Sequence, residues 1–158
     1  MKALLCCTLA AVVALSGLSR AQFPEKRDAG AGSAREKLIG AWRLVSLEGP
    51  GADGKMNRIT DLKGMLLYTR DGHMSVQLVY PKSASDLSND YVKNGYEASF
   101  GRYDVNEQAH TVTHHVEGSI TEELVGKDLP RVYQFSDGHL IIKSTRPDEH
   151  WSVTWEHY

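Results

Sequence analysis

The most informative stretch of the chain reads Phe100-Gly-Arg-Tyr-Asp-Val105, then a polar break at 106–110, then Thr111-Val-Thr-His-His-Val-Glu-Gly-Ser119. Two runs rich in β-branched and aromatic residues around a polar break predict a β-hairpin. Side chains alternate across a strand, so His114 shares one face with two valines and His115 shares the other face with polar residues. One of these adjacent histidines therefore points inward, as either a hydrogen-bonded core group or part of a cavity.

Turn signals recur along the rest of the chain and divide it into short β-like runs. They are rich in Gly, Pro and Asp, and they lie at 50–54, 70–72, 137–138 and 146–149. The final run alternates cleanly, and the residues that share one of its faces are Trp151, Val153, Trp155 and His157. About eight short strands joined by tight turns predict an all-β antiparallel meander, either a closed barrel or a sandwich.

The segment 81–99 is too long for a hairpin loop in such a meander. Leu87, Tyr91 and Val92 stand at helical spacing within it, with Ser85 or Asp86 placed to cap a helix. We therefore predict a short helix or a flap over one end of the barrel, and a solvated loop is the alternative.

The N-terminus has the pattern of a secretory signal peptide. Met1-Lys2 precedes an apolar stretch at 3–15, and Ser19-Arg20-Ala21 places small residues before a cleavage site. We expect a signal peptide at 1–21, a flexible leader at 22–36 and a folded domain at 37–158, with export to the periplasm or secretion. An uncleaved membrane anchor is the alternative, although the apolar stretch is shorter than the roughly 20 residues that a spanning helix needs.

Composition and motifs exclude several classes of function. Both cysteines, Cys6 and Cys7, lie in the predicted signal peptide, so the mature chain has no thiol chemistry. The net charge is −2 and no basic cluster is present, which argues against nucleic acid as a partner. No phosphate loop, nucleophile elbow or Ser-His-Asp order occurs. We predict no cofactor, and no membrane insertion after signal cleavage.

Five segments, in matching order, resemble the bacterial and fungal lipocalin-like domain family, a set of small calycin-type barrels. They are 38–46, 63–78, 100–105, 111–119 and Trp155-Glu156. The resemblance implies an antiparallel up-and-down barrel of about eight strands that holds one small ligand. It also implies that Trp42 plugs the closed end beneath an arginine of the last strand. This chain has His157 at that place, so either another arginine such as Arg131 covers Trp42 or the stacking is absent.

Six side chains are candidates to line the interior and bind a ligand: Tyr68, Ser75, Gln77, Arg102, Tyr103 and His114. Arg102 and Tyr103 lie on opposite faces of one strand, so only one of them points inward. An inward Arg102 would anchor a carboxylate or an enolate, whereas an outward Arg102 would pair with an acidic residue on the surface. An inward His114 is either a core histidine or a general acid or base.

Ser75 and Gln77 line the interior only if the apolar face of their strand packs outward. His115, Glu117 and His73 are too weak a set for a metal site, and we predict none. Three functions are consistent with these features. The chain is a barrel that binds a small hydrophobic molecule, a cofactor-independent cyclase or isomerase on an apolar intermediate, or a structural module with a filled interior.

Overall fold

A single antiparallel sheet of nine strands dominates the computed structural model, which describes residues 32–51 and 53–158. The predicted signal peptide and the predicted leader up to residue 31 lie outside the described residues. The strands are β1 (Gly40–Pro50), β2 (Met56–Ile59), β3 (Lys63–Tyr68), β4 (His73–Val79), β5 (Tyr96–Asn106), β6 (Thr111–Ser119), β7 (Asp128–Ser136), β8 (His139–Ser144) and β9 (Ser152–His157). A short helix, α1 (Ala34–Leu38), precedes them, and single 3₁₀ turns occupy Lys82–Ala84 and Glu122–Leu124. None of these helices has the length and apolar character needed to cross a membrane.

The sheet closes because β1 pairs with both β3 and β9. Trp42 lies opposite Leu66 of β3, and Leu44 lies opposite Trp155 of β9. From β3 to β9 each strand pairs with the next one along the chain, and β2 pairs only with the end of β1. The result is a closed antiparallel barrel of eight strands with one extra strand, which confirms the predicted fold class; β2 itself was not predicted.

Strand alternation decides which side chains lie inside this barrel. In β4, Met74, Val76 and Leu78 are buried, whereas Ser75 and Gln77 face outward. The other strands follow the same rule, so one apolar face is enclosed on all sides. Fully burying one such aliphatic side chain stabilises a fold by roughly 1.5–3 kcal/mol, and the interior of the barrel is therefore its core.

Tight turns hold neighbouring strands in register. Asp137 and Gly138 join β7 to β8 with φ values of 50° and 79°. Two positive φ values are typical of the type I′ turn, whose twist matches that of the flanking strands. The Asp-Gly signal in the sequence therefore predicted this hairpin correctly.

One end of the barrel is plugged by Trp42, which is 2% exposed. Its indole Nε1 donates a hydrogen bond of 2.8 Å to the carbonyl oxygen of Leu38 at the end of α1. The Ser33 side chain caps this helix by accepting a hydrogen bond from the Glu36 amide. The helix begins at Ala34, three residues before the position at which the sequence predicts the folded domain to start.

His157 covers Trp42 at this closed end. The two rings stack with their centroids 3.6 Å apart. Gly40 makes room for the stack, since a Cβ atom there would lie 2.7 Å from His157 Cε1, and its φ of 137° disfavours any side chain. Of the two alternatives drawn from the sequence, the first is wrong, because Arg131 does not cover Trp42; the arginine stack is absent among the described residues, and the His157 ring takes its place.

The opposite end is covered by the segment 80–95, which we call the flap. It contains one 3₁₀ turn at Lys82–Ala84 and no α-helix. Where the sequence predicts a helix, the flap has a turn closed by the Asn89 side chain. Asn89 Oδ1 accepts hydrogen bonds of 2.9 Å from the amides of both Tyr91 and Val92. This turn buries Val92 against the barrel, at 2% exposure.

We expect Gly40→Ala to lower the free energy of unfolding by roughly 1–3 kcal/mol, because the alanine would adopt a strained φ and displace the His157 ring. Urea denaturation followed by tryptophan fluorescence measures this loss. His157→Ala removes the ring with which the alanine would clash. In that background we expect Gly40→Ala to lower the free energy of unfolding by about 0.5–1 kcal/mol less than it does in the native chain. Equal costs in the two backgrounds would contradict the coupling between Gly40 and His157.

Candidate functional site

The β5–β6 hairpin places the two adjacent histidines on opposite sides of the barrel wall. His114 is 8% exposed and points inward, opposite Tyr103 of β5. His115 points outward, opposite Arg102. A bulge at Gly101 shifts the register, and a Cβ there would overlap the His115 carbonyl oxygen. The sequence left open which histidine faces inward, and the structure selects His114.

A cavity of about 200 Å³ lies between the barrel interior and the flap. Its wall is mostly apolar and includes Leu66, Val76, Leu78, Ile142, Val153 and Trp155. Glu97, His114 and Arg131 interrupt this wall with groups that can carry charge. The cavity thus combines an apolar body with a few polar groups, as small-molecule sites do.

His114 is held in the neutral state. Its Nε2 atom lies 2.7 Å from the Tyr68 hydroxyl, and the tautomer decides which of the two donates. Burial, with a further contribution from the positive charge of Arg131, lowers the pKa of His114 to about 3. Burial also raises the pKa of Tyr68 well above its ordinary range. Both groups are therefore uncharged at neutral pH and act only as hydrogen-bonding partners.

Arg131 is a buried cation in contact with two aromatic rings. It projects inward from β7 and is 5% exposed. Its Cζ atom lies 5.2 Å from the ring centroid of Tyr91 in the flap and 4.9 Å from that of Trp151. Each such contact contributes about 0.5–2 kcal/mol, which offsets only part of the cost of removing a guanidinium from water.

Glu149 fixes the two rings that hold Arg131. Its Oε1 accepts a hydrogen bond of 2.8 Å from the Tyr91 hydroxyl, and its Oε2 accepts one of 3.2 Å from Trp151 Nε1. The Ser144 hydroxyl also donates to this carboxylate, and Arg146 pairs with it at 3.0 Å. Glu149 therefore positions the aromatic pair, and its charge is shared with the exposed Arg146.

Glu97 brings a second ionisable group into the cavity wall. It is partly buried near the start of β5. Burial raises the pKa of Glu97 to about 7, although the nearby positive charge of Arg131 acts in the opposite direction. At neutral pH this carboxyl is therefore divided between its protonated and ionised forms, so it can donate or accept a proton.

The six predicted site residues separate into three groups. His114 lines the cavity, and Tyr68 is bonded to it from the interior. Tyr103 is also buried, but its hydroxyl donates to the Thr69 carbonyl oxygen at 2.8 Å, toward the closed end.

The remaining three candidates lie on the outside of the barrel. Arg102 and Gln77 are exposed, and Ser75 faces outward beside Gln77. The expectation that these three line the interior is corrected by strand alternation, because the apolar faces of β4 and β5 point inward and leave them outside.

Two residues of the cavity were missed from the sequence. Arg131 interrupts an otherwise apolar inward face of β7, formed with Leu129, Tyr133 and Phe135, and a charge inside such a face is the signal that identifies it. Glu97 was missed because the strand was predicted to begin at Phe100, which left this residue in the flap instead of on the inward face of β5.

His115 forms a polar cluster on the outer surface of the same hairpin. Its Nδ1 lies 2.6 Å from Asp128 Oδ1, and its Nε2 lies 3.0 Å from Asp104 Oδ2. These hydrogen bonds, with Asp128 first, raise the pKa of His115. Of the residues that the structure describes, no three His, Cys, Asp or Glu side chains are grouped as a metal site would require.

The comparison with family models agrees with this architecture. The model of the lipocalin-like domain family matches residues 39–157. Similar solved structures include a lipocalin-like protein from Bacteroides uniformis, which is 13% identical with a TM-score of 0.43, covering 77% of this chain and 98% of that one. An uncharacterized protein from Bacteroides eggerthii is 13% identical with a TM-score of 0.46, covering 77% and 99%. A mutant of the fluorescent protein UnaG is 12% identical with a TM-score of 0.40, covering 77% and 96%. No curated protein matches the chain.

The outer cluster predicts a pH dependence of stability. Because the folded pKa of His115 is raised above the ordinary value of 6.5, its stabilising contribution is complete below pH 6.5 and is lost as the pH rises through the folded pKa. We expect the difference in unfolding free energy between the native chain and His115→Asn to shrink from about pH 6 to about pH 9. Urea denaturation at each pH measures it.

His150→Asn, the same substitution at an exposed loop histidine, is the control for general effects of losing an imidazole. A difference that grows with pH, or the same pH profile for both variants, would contradict this role of His115.

Proposed function

The chain belongs to the family of lipocalin-like domains, and we propose that its barrel binds a small, largely apolar molecule beneath the flap. The observation that carries this proposal is the cavity of about 200 Å³, enclosed by apolar side chains of the barrel and bordered by His114, Glu97 and Arg131. An apolar body would replace water along most of this wall, and the polar groups would orient it.

The open interior favours this function over a purely structural one. A barrel that serves only as a structural module gains stability by filling its interior with side chains, because unfilled volume loses packing contacts. Here the closed end is filled around Trp42, whereas the end beneath the flap is not. The difference between the two ends supports a site that is kept open for a ligand.

We also propose that this barrel acts outside the cytoplasm, in the periplasm or as a secreted protein. The proposal is supported by the charged start Met1-Lys2, the apolar stretch at 3–15 and the small residues before Gln22. The mature chain would carry no cysteine. Its stability would then depend on the barrel core and its hydrogen bonds alone.

A cofactor-independent isomerase or cyclase is the second candidate function, and Glu97 is the residue that favours it. A cavity carboxyl with a pKa of about 7 is well matched to proton transfer near neutral pH. His114, the group first considered for this role, is a poor base there because its pKa is about 3.

Ligand binding predicts that filling the cavity abolishes binding of a neutral apolar probe. Leu78 lines the cavity at 2% exposure, and its neighbour Val79 faces outward at 41% exposure. We expect Leu78→Trp to weaken binding of N-phenyl-1-naphthylamine, measured by its fluorescence, by at least about tenfold. Val79→Trp, the matched control, should leave binding unchanged. No saturable binding by the native chain, or equal binding by both variants, would contradict the proposal.

Catalysis predicts that a ligand leaves the protein chemically altered. Molecules that co-purify with the chain can be identified by mass spectrometry, resupplied in pure form and analysed again after incubation. For an isomerase or cyclase we expect a product with the native chain and a loss of at least about a hundredfold in rate with Glu97→Gln. Recovery of every ligand unchanged would leave binding as the function.

A further inference from the structure

Arg131 has no carboxylate partner within the part of the chain that the structure describes. No acidic oxygen of residues 32–51 and 53–158 lies within 4.0 Å of its guanidinium, although the side chain is 5% exposed. Its guanidinium makes a long hydrogen bond of 3.4 Å from Nη1 to the carbonyl oxygen of Pro130, and it lies close enough to the Tyr91 hydroxyl to act on the pKa of that group. A guanidinium stays protonated at every physiological pH, so it remains a buried charge with most of its five donors unused.

The surroundings hold this charge in place, and Glu97 and Glu149 act on it electrostatically without forming an ion pair within 4.0 Å. The ring centroids of Tyr91 and Trp151 lie 5.2 and 4.9 Å from its Cζ atom and 6.3 Å from each other, and Glu149 holds both rings through hydrogen bonds. These distances place the two rings within a right angle of each other as seen from Cζ, so the other sides of the guanidinium have no aromatic neighbour among the described residues. Glu149 itself already accepts hydrogen bonds from three side chains and pairs with Arg146.

We infer that the ligand of this cavity carries a carboxylate, which pairs with the Arg131 guanidinium while the apolar remainder of the ligand fills the space beneath the flap. This inference rests on the proposed binding function. The fork of a guanidinium matches a carboxylate bidentately, and the pairing would satisfy donors that no described residue satisfies. A monoanion fits better than a dianion such as a phosphate, because Arg131 is the only cation at neutral pH among the described residues of the wall.

Glu97 adds a dependence on pH to this binding. The titratable groups in the cavity wall are Tyr80, Tyr91, Glu97, His114 and Arg131. Burial raises the pKa of Tyr80 to about 12, raises the pKa of Tyr91, and lowers the pKa of His114 to about 3. Among these wall residues only Glu97, with a pKa of about 7, changes charge between about pH 6 and about pH 8. Protonated, it donates a hydrogen bond to an anion; ionised, it repels one.

The test compares acids with their neutral amides. We would titrate the full chain with 2-naphthoate, trans-cinnamate and decanoate, and with the primary amide of each, by isothermal titration calorimetry at about pH 6. We expect at least one acid to bind about tenfold or more tightly than its amide. This preference should vanish in Arg131→Gln. It should persist in Arg102→Gln, which removes an arginine from the outer face of the barrel. Arg131→Met repeats the test with an apolar side chain if the glutamine variant does not fold.

Titrations at two pH values test the contribution of Glu97 to binding of the acid. From about pH 6 to about pH 8 the acid should bind up to about tenfold more weakly to the native chain, because the protonated fraction of Glu97 falls by that factor. Glu97→Gln should bind equally at both values. An acid preference that is absent from the native chain, or that survives in Arg131→Gln, would overturn the inference.

The outcome also separates this inference from the proposed function. If N-phenyl-1-naphthylamine binds in the cavity and the acids show no preference over the amides, the carboxylate inference fails and the binding function stands. If neither the neutral probe nor any acid or amide binds, both fail.

Discussion

The pairing of β1 with β9 is the constraint on which the rest of the structure depends. It joins the first strand of the sheet to the last, through contacts such as Leu44 opposite Trp155, and leaves no open edge between them. Once the sheet is closed, every second residue of each strand faces one common interior. A charged residue at an inward position then has no route to the outside surface. Arg131 is buried and Glu97 is partly buried in the cavity wall for this reason.

The two ends of the barrel use aromatic stacking for different purposes. At the closed end, the His157 ring lies on Trp42, and Gly40 lets the chain pass close enough for the stack to form. At the flap end, Tyr91 and Trp151 lie on Arg131, and the space beside them is open. The first arrangement completes a packed core, whereas the second holds a cation at the wall of a cavity.

The barrel was predictable from the sequence because turn chemistry and strand alternation are local signals. The Asp137-Gly138 turn, the alternating run from Trp151 to His157 and the β5–β6 hairpin each specify a strand pair without reference to distant residues. The inward position of His114 also follows once its valine neighbours are assigned to the core.

The site was only partly predictable, since it depends on where strands begin and on contacts between distant loops. Moving the start of β5 from Phe100 to Tyr96 transfers Glu97 from the flap to the inner wall. The partners of Arg131 come from the flap and from the start of the last run, and no spacing in the sequence indicates that Tyr91 and Trp151 meet. Arg131 was considered only as a cover for Trp42, although it stands on a clearly apolar face.

We propose that Arg131 is a buried cation without a close ion-pair partner among the described residues, placed to bind an anion from outside the chain. A crystal structure of the protein with the tightest-binding of the tested acids examines this claim most directly. We predict both carboxylate oxygens within about 3.2 Å of the Arg131 guanidinium nitrogens, with the apolar body beneath the flap. A ligand whose carboxylate points out to solvent, or an Arg131 that has turned to pair with Glu97 or Glu149, would contradict it.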